Sequence, residues 1–256
     1  KLTVRLMLCY AKSLIPVCSR KCHHNEALSV MSRAMLNRDD GDPQYRRDKW
    51  REYIHYTFNR TLDDIKAELF IPRFSDWFNR FTNTKKEPLI TAREDHPKSV
   101  AKIDAFIKRE KVLKGELYHA YKNNVTEGYD YIVKDYQPRV ISARSSTYQA
   151  ITGPAMYALS KAVGKVHSYF YNLTYACGLN AGTLGCWWDK IINNSNTSTI
   201  VFEADFSRFD AHVDEPALLS QYEFQDELGI PTLITDTQRM CDINTLGYFP
   251  SGLRYS

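Results

Sequence analysis

A change of hydrophobic period constrains the fold of this chain more than any other feature. Between residues 25 and 81 apolar side chains recur at helical spacing, between 104 and 144 they come in short β-branched and aromatic runs, and from 146 to about 192 helical spacing returns. Blocks of helix and strand, rather than their strict alternation, predict an α+β chain.

Punctuation sharpens the helical blocks. Asn25 caps a predicted helix to about Arg38, with Leu28, Met31 and Met35 on one face. Asp42-Pro43 opens a second, in which Trp50, Tyr53, Ile54, Thr57 and Phe58 follow helical spacing and read as core. Thr61 and Asp64 look like a capping pair for a helix ended by Pro72, and Ser75 caps a shorter one holding Trp77, Phe78 and Phe81. Residues 83–99, "NTKKEPLITAREDHPKS", predict a loop from their Pro and charge content. Further on, a helix from Ser146 to about Asn172 is expected to break at Gly153-Pro154, and "GTLGCWWDKIIN" predicts another, capped near Thr183.

The strand block is also where positive charge gathers. "AFIKREKVLKGELY" and "YDYIVKDYQPRVISARSSTY" carry Lys108, Arg109, Lys111, Lys114, Lys134, Arg139 and Arg144, and a polar loop near Asn123–Gly128 separates them. Pro138 argues for an edge strand or a strand start. As a whole the chain of 256 residues has a net charge of +4, which permits a polyanionic partner without requiring one. "LMLCYAKSLIPVC" is broken by Lys12 and Pro16, so it is too short to span a bilayer, and six cysteines form no disulfide framework in a chain read as intracellular. "CSRKCHH" (Cys18, Cys22, His23, His24) lacks the second well-spaced pair that structural zinc needs.

"TIVFEADFSRFDAHVDEP" (199–216) holds the most chemistry. Asp205 ends an apolar strand-like run and Asp210 follows at an odd separation, so the two carboxylates face one site only if the chain turns between them. Phe206-Ser207-Arg208 supplies that turn, and Asp214-Glu215-Pro216 opens a helix to Leu228, with Gly229 as its stop and Pro231 beyond. A carboxylate at a strand end suits Mg²⁺, a hard cation shared with substrate phosphates, although two-metal transfer needs further acids.

A basic cluster upstream of such an acid pair resembles the layout of viral RNA-dependent RNA polymerases. "DFSRFDAHV" is similar to polymerase motif A of the tombusvirus-like positive-strand RNA viruses, "FIKREK" and "QPRVISARSSTY" to the two limbs of motif F, and "GLRYS" to the run leading into motif B. "HHNEALSVMSRAMLNR" is more loosely similar to the N-terminal helical segment of those enzymes. The resemblance implies a right-hand polymerase fold: helix-rich fingers over 1–197, with the basic motif F segment at 106–144 and helices at 146–192, then the start of a palm over 198–256, with motif A at 199–228 and the approach to motif B at 247–256. Motif C, the Gly-Asp-Asp hairpin, is not among the 256 residues, so the chain is expected to be an inactive fragment by itself.

By the same resemblance Asp205 is expected to bind catalytic Mg²⁺, or Mn²⁺, and Asp210 to recognise the ribose 2′-hydroxyl of the incoming nucleotide. Lys108, Arg139 and Arg144 would contact the triphosphate and Ser256 would belong to the nucleotide site, while Glu110 orients a basic neighbour. Ser207, Phe209 and His212 match motif A, Phe209 as packing and His212 as a structural group. The implied partners are template and nascent RNA, nucleoside triphosphates and other viral replicase components. The implied location is the host cytoplasm, in complexes tied to membranes through regions outside this chain. Two other readings stand beside it: a non-catalytic RNA-binding or replication-complex module, and a metal-dependent phosphatase or nuclease.

Overall fold

The computed structural model describes residues 14–16, 26–27, 29–31, 41–94, 101–108, 111–113, 118–122, 129–133, 139–167, 174–193, 213–243 and 245–255. These form an α+β chain in two compact units. One comprises Lys1–Arg38, Ile103–Ala143 and Leu246–Ser256, and the other Asp39–Lys102 and Arg144–Thr245. The boundary expected between 197 and 198 lies outside the described residues.

The first unit is built on strands. β1 (Leu14–Pro16) pairs antiparallel with β3 (Lys111–Leu113), and β4 (Tyr118–Lys122) pairs antiparallel with β5 (Tyr129–Val133). β2 (Lys102–Ile107), β6 (Val140–Arg144), β7 (Leu246–Tyr248) and β8 (Arg254–Tyr255) form a four-stranded sheet in the order β6-β2-β7-β8. β6 is thus an edge strand, as Pro138 suggested, since a proline cannot donate to a ladder. Along β2 Ile103, Ala105 and Ile107 point inward while Lys102 and Asp104 face out. Ala105, Ile107, Val30 and Phe249 make a small core, with Val140, Leu253 and Tyr255 at its margin. Glu26 is fully buried beside this unit's turn at 249–253, where its carboxylate accepts from Ser251 Oγ.

The second unit is helical. Its α1 (Pro43–Phe58) begins as expected: Asp42 caps it by accepting from Gln44 N, and proline opens the first turn. The expected core face is corrected, because no residue of α1 is fully buried and Tyr53 is 60% exposed. Arginines share the inner face with Trp50, Ile54 and Phe58, so charge rather than a dry apolar seam meets the neighbouring helix. α2 (Leu62–Glu68) stops short of Pro72, and Thr61 stands at its N-cap without a side-chain capping bond; its hydroxyl bonds instead to Phe58 O and to Nε2 of the buried His167. α3 (Phe74–Phe78) likewise lacks the Ser75 cap, its N-cap being Arg73.

Two expectations based on proline fail for one reason. Residues 83–94 form a helix, α4 (Asn83–Glu94), with Pro88 inside it, and α5 (Ser146–Val166) runs unbroken through Gly153-Pro154. A helix-interior proline costs about 3 kcal/mol, which packing here offsets: Leu89 is buried between α4 and its neighbours, and Thr152, Pro154, Ala155 and Ala158 are buried on α5. Gly153 is required by close approach, since a Cβ there would lie 2.3 Å from the Trp77 ring. α5 is capped by Ser145, which accepts from Tyr148 N.

α6 (Ala181–Asn193) starts two residues before Thr183, and its cap is Asn180, which accepts from Thr183 N. α7 (Glu215–Glu227) follows the expected punctuation closely: Asp214 accepts from Ala217 N, Pro216 lies in the first turn, and Gly229 takes φ +81° beyond it. α8 (Thr232–Ile243) completes the unit. Ile65, Ala162, Val166 and Leu228 form one core cluster, and Ala155, Ile230 and Ile234 another. Each buried Ile, Leu or Val among them contributes about 1.5–3 kcal/mol. Among the described residues no helix is long and apolar enough to cross a membrane.

Candidate functional site

The strand alternation that buries Ile103, Ala105 and Ile107 delivers Lys108 to the surface at the end of β2. Arg139, also exposed, precedes the first residue of β6. The two are joined through the backbone, Lys108 N donating to Arg139 O over 2.8 Å. Two exposed basic residues far apart in sequence are therefore neighbours where β2 ends beside the start of β6. The last strands belong to the same sheet, and Ser142 Oγ lies 2.8 Å from the Tyr255 hydroxyl of β8. Phe106–Lys108, Val140–Arg144 and Arg254–Tyr255 thus belong to or adjoin one four-stranded sheet.

Arg144 has different surroundings. Its guanidinium pairs with Asp242 and donates to Cys241 O and Thr245 Oγ1, both at 3.0 Å. It also lies 5.1 Å from the centroid of the Tyr148 ring. Asp242 in turn accepts from Tyr148 Oη at 2.9 Å and Tyr222 Oη at 2.7 Å. Burial, with the adjacent Asp242 carboxylate, pushes both phenols well above their ordinary range. Asp242 therefore ties α5, α7 and α8 together through one carboxylate, with Arg144 as its counter-charge. Sequence reasoning missed this acid because nothing local distinguishes it; only its three long-range partners do.

Asp205, Asp210 and Ser256 lie outside the described residues, as do Arg109, Glu110, Lys114, Lys134, Ser207, Phe209, His212 and the cysteine–histidine group at 18–24. Among the described residues no group of three or more His, Cys, Asp or Glu side chains is arranged to hold a metal ion. Asp214, just beyond the acid pair, is 7% exposed; it caps α7 and accepts from Arg46 Nε at 2.9 Å. The helix after the acids is consequently held at its N-terminus by both a cap and an ion pair.

Comparison with protein families, with curated proteins and with solved structures finds no match.

Proposed function

We propose that this chain supplies the fingers and the beginning of the palm of an RNA-dependent RNA polymerase of the tombusvirus-like type, with a right-hand fold. The observation that carries the reading is that Phe106–Lys108, Arg139–Arg144 and Arg254–Tyr255, parts of the segments that resemble motifs F and B, meet at one sheet, where Lys108 and Arg139 are joined through the backbone.

Arg139 presents a fixed fork of donors and Lys108 a point charge, a combination suited to triphosphate oxygens. In this reading the two cations neutralise the charge that builds on departing pyrophosphate while the primer 3′-hydroxyl attacks the α-phosphate. Arg144 contributes from its ion pair with Asp242, so a triphosphate shares rather than captures its guanidinium. Asp205 would hold Mg²⁺ or Mn²⁺, for which its hard oxygen donors fit. Bound there, the metal would supply charge stabilisation at the reacting oxygens. Asp210 would read the ribose 2′-hydroxyl, and Ser256 would join the nucleotide site. Template RNA, nucleoside triphosphates and further replicase components are the corresponding partners, in cytoplasmic complexes on host membranes.

The test uses the complete reading frame. Asp205→Asn is expected to abolish Mg²⁺-dependent RNA synthesis while RNA binding persists; extension at near wild-type rate overturns the assignment. Arg139→Ala is expected to raise the KM for nucleoside triphosphates about tenfold, the loss of one charge-assisted phosphate contact. A second reading, a non-catalytic RNA-binding module, draws on the exposure of the same Lys108 and Arg139. Salt-dependent RNA binding by a complete protein that performs no Mg²⁺-dependent synthesis would favour it.

A further inference from the structure

A second group of cations lies in the helical unit, three of them on α4, where the sequence predicted a loop. Arg80 sits 3.4 Å from the Tyr157 ring centroid and 5.6 Å from that of Phe81, and Lys161 lies 5.8 Å from Tyr157. Arg93 lies 4.4 Å from the Phe74 centroid and Lys86 5.2 Å from that of Phe78. The rings themselves are continuous: Phe74 stacks on Phe78 at 5.5 Å, Phe74 meets Trp77 at 5.7 Å, and Trp77 meets Phe81 at 4.8 Å. The exposed Arg73 and Lys85 belong to the same helix pair. Among the described residues none of these six cations forms an ion pair with a carboxylate. Asp76 of α3 and Glu87 of α4 are both exposed, and α5 carries no acid.

We infer that this face of α3, α4 and α5 binds single-stranded nucleic acid through its phosphates. Three features favour that occupant. Among the described residues these cations pair with no carboxylate, so binding a polyanion breaks no ion pair seen there and releases condensed counterions from the strand. Ring contacts fix where the charged heads sit, which lowers the ordering cost of binding. Lys86 and Arg93 are two helical turns apart, about 10 Å along the axis, so that the backbone of one strand can track both charges, as it does in single-strand sites. A lipid surface is disfavoured because the rings are already covered by cations and are not presented for insertion. The inference does not depend on the polymerase reading: it involves neither Lys108, Arg139 nor Asp205.

The experiment measures binding of a fluorescent 20-nucleotide oligouridylate to the chain by anisotropy, between 50 and 200 mM salt. For single strands each neutralised phosphate adds about 0.7 to the slope of log affinity against log salt. Arg80→Gln/Lys86→Gln/Arg93→Gln is therefore expected to flatten the slope by about 2, so that the wild type loses about twentyfold more affinity than the variant over this range. Unfolding by circular dichroism checks the variant's fold. Should it fail to fold, Arg73→Gln/Lys85→Gln, which leaves every ring contact intact, is expected to flatten the slope by about 1.4. An unchanged slope and affinity in a folded variant overturns the inference. Binding to phosphatidylserine vesicles that the variant loses, with oligouridylate binding unaltered, also overturns it, in favour of a membrane surface.

Discussion

Two charged faces of the helical unit use arginine in opposite ways. Where α1 meets α7, the cations are matched by carboxylates, Arg46 with Asp214 and both Arg47 and Arg51 with Glu223, and the His55 ring lies 3.5 Å from the Glu227 carboxylate. Arg51, His55, Glu223 and Glu227 line a groove there with Ile54 and Phe224. On α3, α4 and α5 the cations rest on rings instead. Paired charges stabilise an internal seam and leave little field for an outside partner; ring-supported charges keep theirs. Similar composition therefore serves packing on one face and recognition on the other.

The difference is tested most severely at a second paired cluster of this unit, the one around Asp242. Asp242→Ala leaves the Arg144 guanidinium and two phenols without their acceptor. A loss of about 3 kcal/mol is expected, lowering Tm by about 6–12 °C, with the salt slope of oligouridylate binding unchanged. A changed slope would break the separation between the faces. The same network predicts alkaline sensitivity. The folded state raises the pKa of Tyr148 and Tyr222 above the ordinary value of 10. Their contribution is thus complete below pH 10 and declines as pH rises past it. Thermal melts from pH 8 to 11 should fall more steeply for the wild type than for Tyr222→Phe.

Gly153→Ala comes next, because its Cβ would enter the Trp77 ring. A cost of about 1–3 kcal/mol is expected in chemical unfolding, together with weaker oligouridylate binding as Trp77 displaces Phe74 and Phe81. Retained affinity would show that the ring scaffold does not orient the cations. Glu223→Gln, which weakens the partner of Arg47 and Arg51, is expected to cost about 1 kcal/mol or less and to spare RNA binding. Burial opposes ionisation of Glu223, but the guanidiniums of Arg51 and Arg47 outweigh it and hold the carboxyl below its usual range. Its contribution is accordingly present at neutral pH and is lost as pH falls through the carboxylate range. The smallest stability effect belongs to Arg93→Gln, about 0.5 kcal/mol, paired with a measurable flattening of the salt slope.

The sequence by itself determined the local events. Asp42-Pro43 starts α1, Asp214 and Pro216 start α7, Gly229 ends it, and Pro138 foreshadows the edge position of β6. Each depends on one residue's backbone preference or hydrogen-bonding reach, so neighbours in sequence suffice to read it. The block pattern of helix, strand and helix was legible for a related reason: side-chain period is a property of a short window. The juxtaposition of Lys108 and Arg139 was visible only as a tendency of two basic segments to share a function; their ladder contact belongs to the folded sheet.

What tertiary structure alone decided is where local preference and packing disagree. Pro88 and Pro154 argue against helix, yet burial of Leu89 and of the α5 face supports it, and Gly153 has meaning only once Trp77 is beside it. Trp50, Tyr53 and Phe58 fit a core stripe by spacing, but whether that stripe is covered depends on the arginines and on a helix more than 150 residues away. The identity of a cation's partner, carboxylate on one face and aromatic ring on the other, is likewise set by long-range contact. Helical period fixes which side chains share a face, but not what that face meets.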